Sequence, residues 1–318
     1  MGSKRIVNLP TAAGSAIAAS TAFSAHTITV DMPVGPRYHA IYIKCLNPGT
    51  GKVGTDLLGE IRIKVNGKVQ RVFTADELNK INILNGFEWA CTGIATAATE
   101  FTLPIWFAEP WRKSTEAQQG LAWSTGDVST FQLEVDIKAY ASTAAVTGLT
   151  FQAEIDDSYI TVEGKTFPQP MGVITKWFNF QLPIVAASSW HDFTGLPKRG
   201  FYQSIHLVDG NLDEFEIKLD NSIWYQDTVT SNNAKLKQRQ MLPNPSATAT
   251  PYGVAADLPT RGMVDIVLDR DDRLDSALAM VYPNGRPVQD FNLRVKAGAS
   301  GTVSRNVKAI VQVAGAAE

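Results

Sequence analysis

Two cysteines in 318 residues, Cys45 and Cys91, are too few for a disulfide framework, and both are expected as buried free thiols. No apolar run approaches the roughly 20 residues needed to cross a bilayer as a helix. Charge of one sign is also lacking. The 29 Lys and Arg stand against 31 Asp and Glu, so the net charge of −2 gives no electrostatic reason for the whole surface to bind nucleic acid. The four histidines, His26, His39, His191 and His206, show no metal-ligand spacing. A nucleophile elbow, a phosphate-cradling glycine loop and a Cys/His cluster are all missing. Trp190-His191-Asp192 beside Ser188 and Ser189 has hydrolytic residue types, but neighbours in an extended chain point to opposite faces and do not converge. No catalytic, cofactor-binding or metal-binding residue is therefore assigned, and a non-enzymatic protein is expected.

What the sequence does contain is a pattern written twice. Ile61, Ile63 and Val65 alternate with Arg62 and Lys64, and half a chain later Phe215, Ile217 and Leu219 alternate with Glu216 and Lys218. Each run reads as a strand with one buried face. A turn follows each, Asn66-Gly67 and Asp220-Asn221, and an apolar residue resumes at Val69 and Ile223. Neighbouring segments repeat in the same order. Tyr38 to Ile43 matches Tyr202 to Leu207, Phe131 to Ile137 matches Phe291 to Val295, and Phe151 to Ile155 matches Val307 to Val311. Ile28 and Val30 are matched to Phe180 and Leu182. A duplicated all-β module follows.

Helical pieces interrupt both copies. Thr74-Ala75-Asp76-Glu77 has the form of a capping box, with Leu78, Ile81 and Leu84 at helical spacing. Asn233 to Leu242 is the corresponding helix-prone run, and Ser114 to Gln119 and Leu274 to Met280 are helix-tolerant. The expected fold is two tandem eight-stranded jelly rolls with short helical insertions. Residues 1–25, which include Lys4 and Arg5, read as a flexible N-terminal arm rather than a secretory segment. Residues 26–164 form the first jelly roll and 165–318 the second, with the boundary near Lys165. After the second helix-prone run the chain meanders through a loop rich in Pro, Ala and Thr, Asn244 to Pro259.

These pieces resemble the double jelly-roll major capsid proteins of tailless, internal-membrane-containing icosahedral bacteriophages, the corticovirus type above all. The likeness lies in FEIKLDNSIW (Phe215 to Trp224), GMVDIVLDRDDRLDSAL (Gly262 to Leu278) and VQDFNLRVKAGAS (Val288 to Ser300), followed by a last strand from Asn306 to Val313. The resemblance implies a structural subunit that forms homotrimers, pseudo-hexameric capsomers and lateral contacts between them in the virion shell. It also implies vertex or penton and minor capsid proteins as partners. Lys4 and Arg5 would be the candidates for peripheral contact with an internal lipid membrane.

Other readings rest on particular residues. Among seven tryptophans, Trp89, Trp106, Trp111, Trp123 and Trp224 could stack on sugars in a carbohydrate-binding or receptor-binding double sandwich, but core or subunit contact is expected. Asp269, Asp271, Asp272 and Asp275 could chelate calcium, but they lack the glycine and distal glutamate of an EF-hand loop and suit a solvated helix start. Asp156, Asp157, Asp213 and Glu214 would have to converge to serve a glycan hydrolase. Lys235, Lys237 and Arg239 read as an exposed helical face.

Overall fold

The computed structural model describes residues 3–10, 20–45, 53–86, 101–112, 114–146, 148–238, 262–269, 273–299 and 304–317. In chain order the first half forms β1 (Arg5–Asn8), β2 (Ser20–Phe23), β3 (His26–Asp31), β4 (Arg37–Cys45), β5 (Leu58–Val65), β6 (Lys68–Thr74) and helix α1 (Ala75–Leu84). It continues with β7 (Phe101–Trp106), helix α2 (Thr115–Gln119), β8 (Trp123–Ser124), β9 (Phe131–Ile137), β10 (Tyr140–Val146) and β11 (Thr150–Asp156). A hairpin of β12 (Tyr159–Val162) and β13 (Lys165–Pro168) leads to the second half. There lie β14 (Val173–Ile184), β15 (Trp190–Phe193), β16 (Phe201–Val208), β17 (Leu212–Leu219), β18 (Ser222–Thr228) and helix α3 (Val229–Gln238). The chain ends with β19 (Val264–Val267), β20 (Leu278–Ala279), β21 (Phe291–Ala297) and β22 (Arg305–Ala316).

The strands assemble into the same pair of sheets twice. In the first half β1-β11-β4-β7 faces β3-β9-β5-β6; in the second β14-β22-β16-β19 faces β15-β21-β17-β18. Short strands β8 and β20 extend β4 and β16 at equivalent places. Each pair of antiparallel four-stranded sheets, with its order broken by crossovers, is a jelly roll.

Local chemistry explains the repetition. Asn66-Gly67 and Asp220-Asn221 all take positive φ, the backbone that a two-residue hairpin needs to match strand twist. Three irregularities recur at equivalent positions. Pairing shifts within β5 and β6 at Ile63/Lys64 and within β17 and β18 at Ile217/Lys218. It shifts between β5 and β9 and again between β17 and β21. It also skips His39 of β4 in the pairing with β11 and Gln203 of β16 in the pairing with β22. Such bulges re-aim side chains, so their duplication reflects shared geometry more closely than sequence identity does.

Each core is organised around one tyrosine. Tyr38 donates to the Pro33 carbonyl at 2.6 Å and packs edge-on against Phe131 at 4.9 Å; Tyr202 donates to the Pro197 carbonyl and packs edge-on against Phe291 at 4.8 Å. The apolar residues of the repeated strands line two separate cores. On the outer sheet faces the ion pairs are swapped in sign. Arg62 of β5 binds Glu134 and Asp136 of β9, whereas Arg294 of β21 binds Glu216 of β17 and Asp192 of β15.

The structure departs from the sequence reading at four places. Residues 5–8, assigned to a flexible arm, form β1 and pair with β11, and residues 20–23 pair with β10. Only Val7 of β1 packs on the core, so the strand carries almost no alternation. Phe180 and Leu182 belong to β14, the counterpart of β1; the counterpart of β3 is β15. The run at Leu274 gives a single 3₁₀ turn before β20, and α3 begins at Val229, four residues before the expected start. The expected boundary at 164/165 falls at the tip of the β12–β13 hairpin, where Glu163 and Gly164 have positive φ. Cys45 is buried; Cys91, Trp89, Arg239, Asp271, Asp272 and the loop 244–259 lie outside the described residues.

The two tyrosine hydroxyls provide a stability test. Tyr38→Phe and Tyr202→Phe each strand a carbonyl acceptor and should cost roughly 1–2 kcal/mol in urea unfolding. Tyr42→Phe, whose half-buried hydroxyl bonds Glu154 at 3.1 Å, should cost less.

Candidate functional site: the seam between the jelly rolls

Of the polar residues that the sequence offered for chemistry, Asp269 and His206 lie at the contact between the two modules, among buried polar groups that the sequence did not single out. One wall is the outer face of β14, β22, β16 and β19, and the other is β6 with α1 and the segment after β7. At the centre Arg71 of β6 is fully buried. Its Nε donates to the Thr175 carbonyl of β14 at 2.7 Å and its Nη1 to the Trp106 carbonyl at 2.5 Å. The guanidinium lies 4.9 to 5.4 Å from the ring centroids of Trp123, Phe107 and Trp177, where the negative faces of the rings favour a cation. Burial pushes Arg71 down to about 9, with the charge of Glu109 opposing, so it stays charged at neutral pH.

Around Arg71 the seam is closed by paired groups. Trp177 packs on Phe73 at 5.0 Å, Asn179 Nδ2 donates to the Val72 carbonyl at 3.2 Å, and Lys308 reaches both Glu77 oxygens at 2.7 and 2.8 Å. Glu77 also caps α1 through the expected box with Thr74, so one carboxylate ends a helix and joins two modules. Leu84 of α1 meets Leu236 of α3 and Val267 of β19. Gln203, the bulge residue of β16, accepts from Thr175 Oγ1 and donates to Glu109, each at 2.9 Å.

Arg112 joins Glu109 to Asp269, the latter at 2.7 Å. Burial alone would lower the Arg112 guanidinium, but the two carboxylates hold it above its ordinary value. Burial pushes Asp269 up to about 7 against the pull of Arg112. Asp269 therefore serves the seam, while Asp275 pairs with Arg273 at 2.5 Å on the surface, so the two described members of the calcium-like cluster have separate roles.

One arrangement went unread in the sequence. Ser204 Oγ lies 2.8 Å from His206 Nε2, and His206 Nδ1 lies 2.6 Å from Asp265, whose backbone carbonyl accepts from Asn232 of α3 at 2.7 Å. Ser204 and His206 are two apart on β16 and so share a face, and His206 is directly opposite Asp265 in register. The order of groups is that of a hydrolytic triad. The adjoining cavity, lined by Ser204, His206, Gln312 and Asp269, has room of ≈ 20 Å³, enough for about one water and not for an acyl substrate. The chain of bonds pins α3 and β19 beneath the seam.

The remaining sequence candidates are separately engaged. Asp156 binds Arg37 and His39, Asp157 binds Arg5, Glu214 binds Lys296, and Asp213 is exposed, so the four carboxylates do not converge. Trp123 is core, Trp106 stacks edge-on with Tyr42, Trp111 lines the seam and Trp224 lies on edge strand β18; they line no common groove. Lys235 binds Asp227 at 2.6 Å. Lys4 and Arg5, expected on a free arm, bind Glu154 and Asp157 instead.

Comparisons with known proteins place this geometry. Residues 19–156 match the family described as viral coat protein P2 N-terminal domain. The structure is similar to the crystal structure of the major capsid protein P2 from bacteriophage PM2, with a TM-score of 0.69 and 15% identity over 99% of this chain and 98% of that one. It is also similar to a chain in the atomic structure of Sulfolobus turreted icosahedral virus, at 0.62 and 13% over 98% and 90%. A chain of the PBCV-1 virus capsid gives 0.54 and 9% over 99% and 94%. No curated protein matches the chain by sequence.

Two outcomes are expected of this site. Arg71→Met leaves two buried carbonyls without their donor and should destabilise the chain by about 3 kcal/mol, with Arg71→Lys failing to rescue because an ammonium lacks the fork. Urea unfolding followed by tryptophan fluorescence measures it. The second concerns pH. Burial lowers His39 below its ordinary 6.5, although its bond to Asp156 opposes this. Burial would raise Asp156, but Arg37 and His39 hold it below the usual carboxylate range. The His39 contribution is complete above pH ~6.5 and is lost as pH falls through its folded value, and that of Asp156 is lost only below pH ~4. Asp269, raised to about 7 by burial, works in the opposite sense over the same range, adding stability as pH falls below its folded value. The His39 share is therefore read as a difference: the gap in melting temperature between the wild type and His39→Gln should narrow as pH falls below ~6.5.

Proposed function

We propose that this chain, whose residues 19–156 match the viral coat protein P2 N-terminal domain family, is a viral major capsid protein of the double jelly-roll fold that assembles as a homotrimer into pseudo-hexameric capsomers of an icosahedral shell. The observation that carries this reading is the seam itself. Two modules of identical strand order meet through different surfaces, an edge strand with its helix on one and a sheet face on the other. A head-to-tail contact between equivalent units either closes into a ring or runs on as a filament. Three chains supply six such modules, and a six-module ring has the outline that tiles a flat facet. The polar residues at the seam are engaged in joining the modules, which supports a structural role.

In such a shell the capsomers meet one another laterally and meet vertex or penton and minor capsid proteins at their edges. The N-terminal segment 1–25 is the part proposed to touch an internal membrane. Because Lys4 and Arg5 already have carboxylate partners, that contact would draw on other residues, and Lys4→Gln/Arg5→Gln should leave co-flotation with anionic vesicles unchanged. Light scattering on the purified chain tests the trimer. A stable species near three times 34.5 kDa is expected, and a clean monomer at high concentration would refute it.

A further inference from the structure

The seam has two halves, and each recurs, uncovered, at the other end of the chain. In β6 the bulge residue Gln70 is 1% exposed and Arg71 is buried, because β14 lies against them. Their counterparts on β18, found by the same pairing shift, are Trp224 and Tyr225; Trp224 is 43% exposed and its neighbour Ile223 also faces solvent. Large apolar side chains thus occupy an edge strand whose equivalent is covered.

The receiving face recurs with the same fidelity. Strand β14 is to β22 and β16 what β1 is to β11 and β4. Ile205 pairs with Val311 and Ile41 with Ala153, which fixes the correspondence. Trp177 is opposite Gln312, one residue beyond Val311; Ile6 is opposite Glu154, one residue beyond Ala153. Ile6 therefore takes the place of Trp177, and it is 63% exposed where Trp177 is buried. Two residues on, Asn179 is opposite Ile310 and Asn8 opposite Gln152, so an asparagine occupies both places. Asn179 Nδ2 donates across the seam to the Val72 carbonyl. The counterpart of Val72 is Gln226, which pairs with Glu216 as Val72 pairs with Arg62. Asn8 already accepts from Gln152 through Oδ1 at 2.9 Å and has its Nδ2 to offer.

We infer that a second copy of this chain docks β18 on the outer face of β1, with Ile6 packed against Trp224 and Tyr225 and Asn8 donating to the main-chain carbonyl of Gln226. The contact rests on the trimer reading and specifies its interface. Its chemistry differs from that of the seam above all in charge: the place of the buried cation Arg71 is taken by the neutral ring of Tyr225. The joint between chains is thereby apolar and hydrogen-bonded, and forming it buries no unpaired charge.

Ile6→Asp and Trp224→Asp each place a charge at an exposed position, so the melting temperature of the isolated chain should be unchanged while the trimer mass falls to that of one chain. A one-to-one mixture of the two variants should recover a species of two chains. The Ile6→Asp chain still offers β18, the Trp224→Asp chain still offers β1, and no third chain can add. Independently of those variants, Asn8→Cys/Gln226→Cys under oxidation should link chains into a ladder ending at three, whereas either single substitution should not. A wild-type trimer whose mass survives both aspartate variants, and whose doubly substituted form stays uncrosslinked, would overturn this contact and leave the trimer standing. A wild-type monomer would overturn both.

Discussion

One constraint governs the chain: the sheet β14-β22-β16-β19 is buried on both faces. A jelly-roll sheet normally hides one face in its own core and leaves the other to water, and its strands alternate accordingly. Here β19 is buried at all four positions and β22 at seven of twelve. The outward residues nonetheless include the polar Thr175, Ser204, His206, Asp265 and Gln312. A buried polar group without a partner costs about 1–3 kcal/mol, so the covering module must supply donors and acceptors at fixed places. Glu77, Glu109 and Arg112 of the first module do so, and Arg71 crosses to a main-chain carbonyl. The relative placement of the two modules follows from this need for matched partners together with apolar contact, in which Ile174, Trp177, Met263 and Ile310 join the first module's core and Leu84 meets Leu236 and Val267.

The two modules keep one geometry while exchanging chemistry. The hairpin turns, the three pairing shifts and the buried tyrosine with its proline carbonyl are common to both. Charges on the outer sheet faces are reversed, His39 stands where Gln203 stands, and Tyr225 stands where Arg71 stands. Backbone irregularities are hard to move, because shifting a bulge by one residue turns every later side chain to the wrong face. Side chains on an outer face are free to change once their contact is specialised. Conservation of bulges with divergence of outer residues is what a duplicated module shows when its two copies meet different neighbours.

How much of this was legible depended on where the signal lies. The central strands were plain because Ile61, Ile63 and Val65, or Phe215, Ile217 and Leu219, alternate cleanly and end in residues that tolerate positive φ. The capping box at Thr74 and Glu77 was equally local. Strand β1 was not legible, since an edge strand with one inward residue has no period to detect. The short β15 was passed over for Phe180 and Leu182, whose apolar run was the stronger pattern. Ser204, His206 and Asp265 could have been found by placing Tyr202 to Leu207 and Met263 to Leu268 side by side, but their contact depends on a cross-strand register that one sequence does not fix. Arg71 was invisible for a different reason. It sits among Lys68, Gln70 and Thr74 like any solvent-facing residue, and only the neighbouring module buries it.

The placement of charge has a further consequence for how such a ring could be built. The seam within a chain forms between segments held together covalently, at an effective concentration far above that of separate molecules, so it can tolerate the desolvation of Arg71 and Asp269. A joint between chains has no such advantage and must form from partners that are fully solvated beforehand. Burying an unmatched ion there would slow and weaken association, whereas an isoleucine against a tyrosine and an amide on a main-chain carbonyl cost little to desolvate. In the proposed ring, duplication followed by divergence would let half of the module contacts be made during folding, with buried ion pairs that fix orientation, and would leave the other half to a joint centred on Ile6, Trp224 and Tyr225.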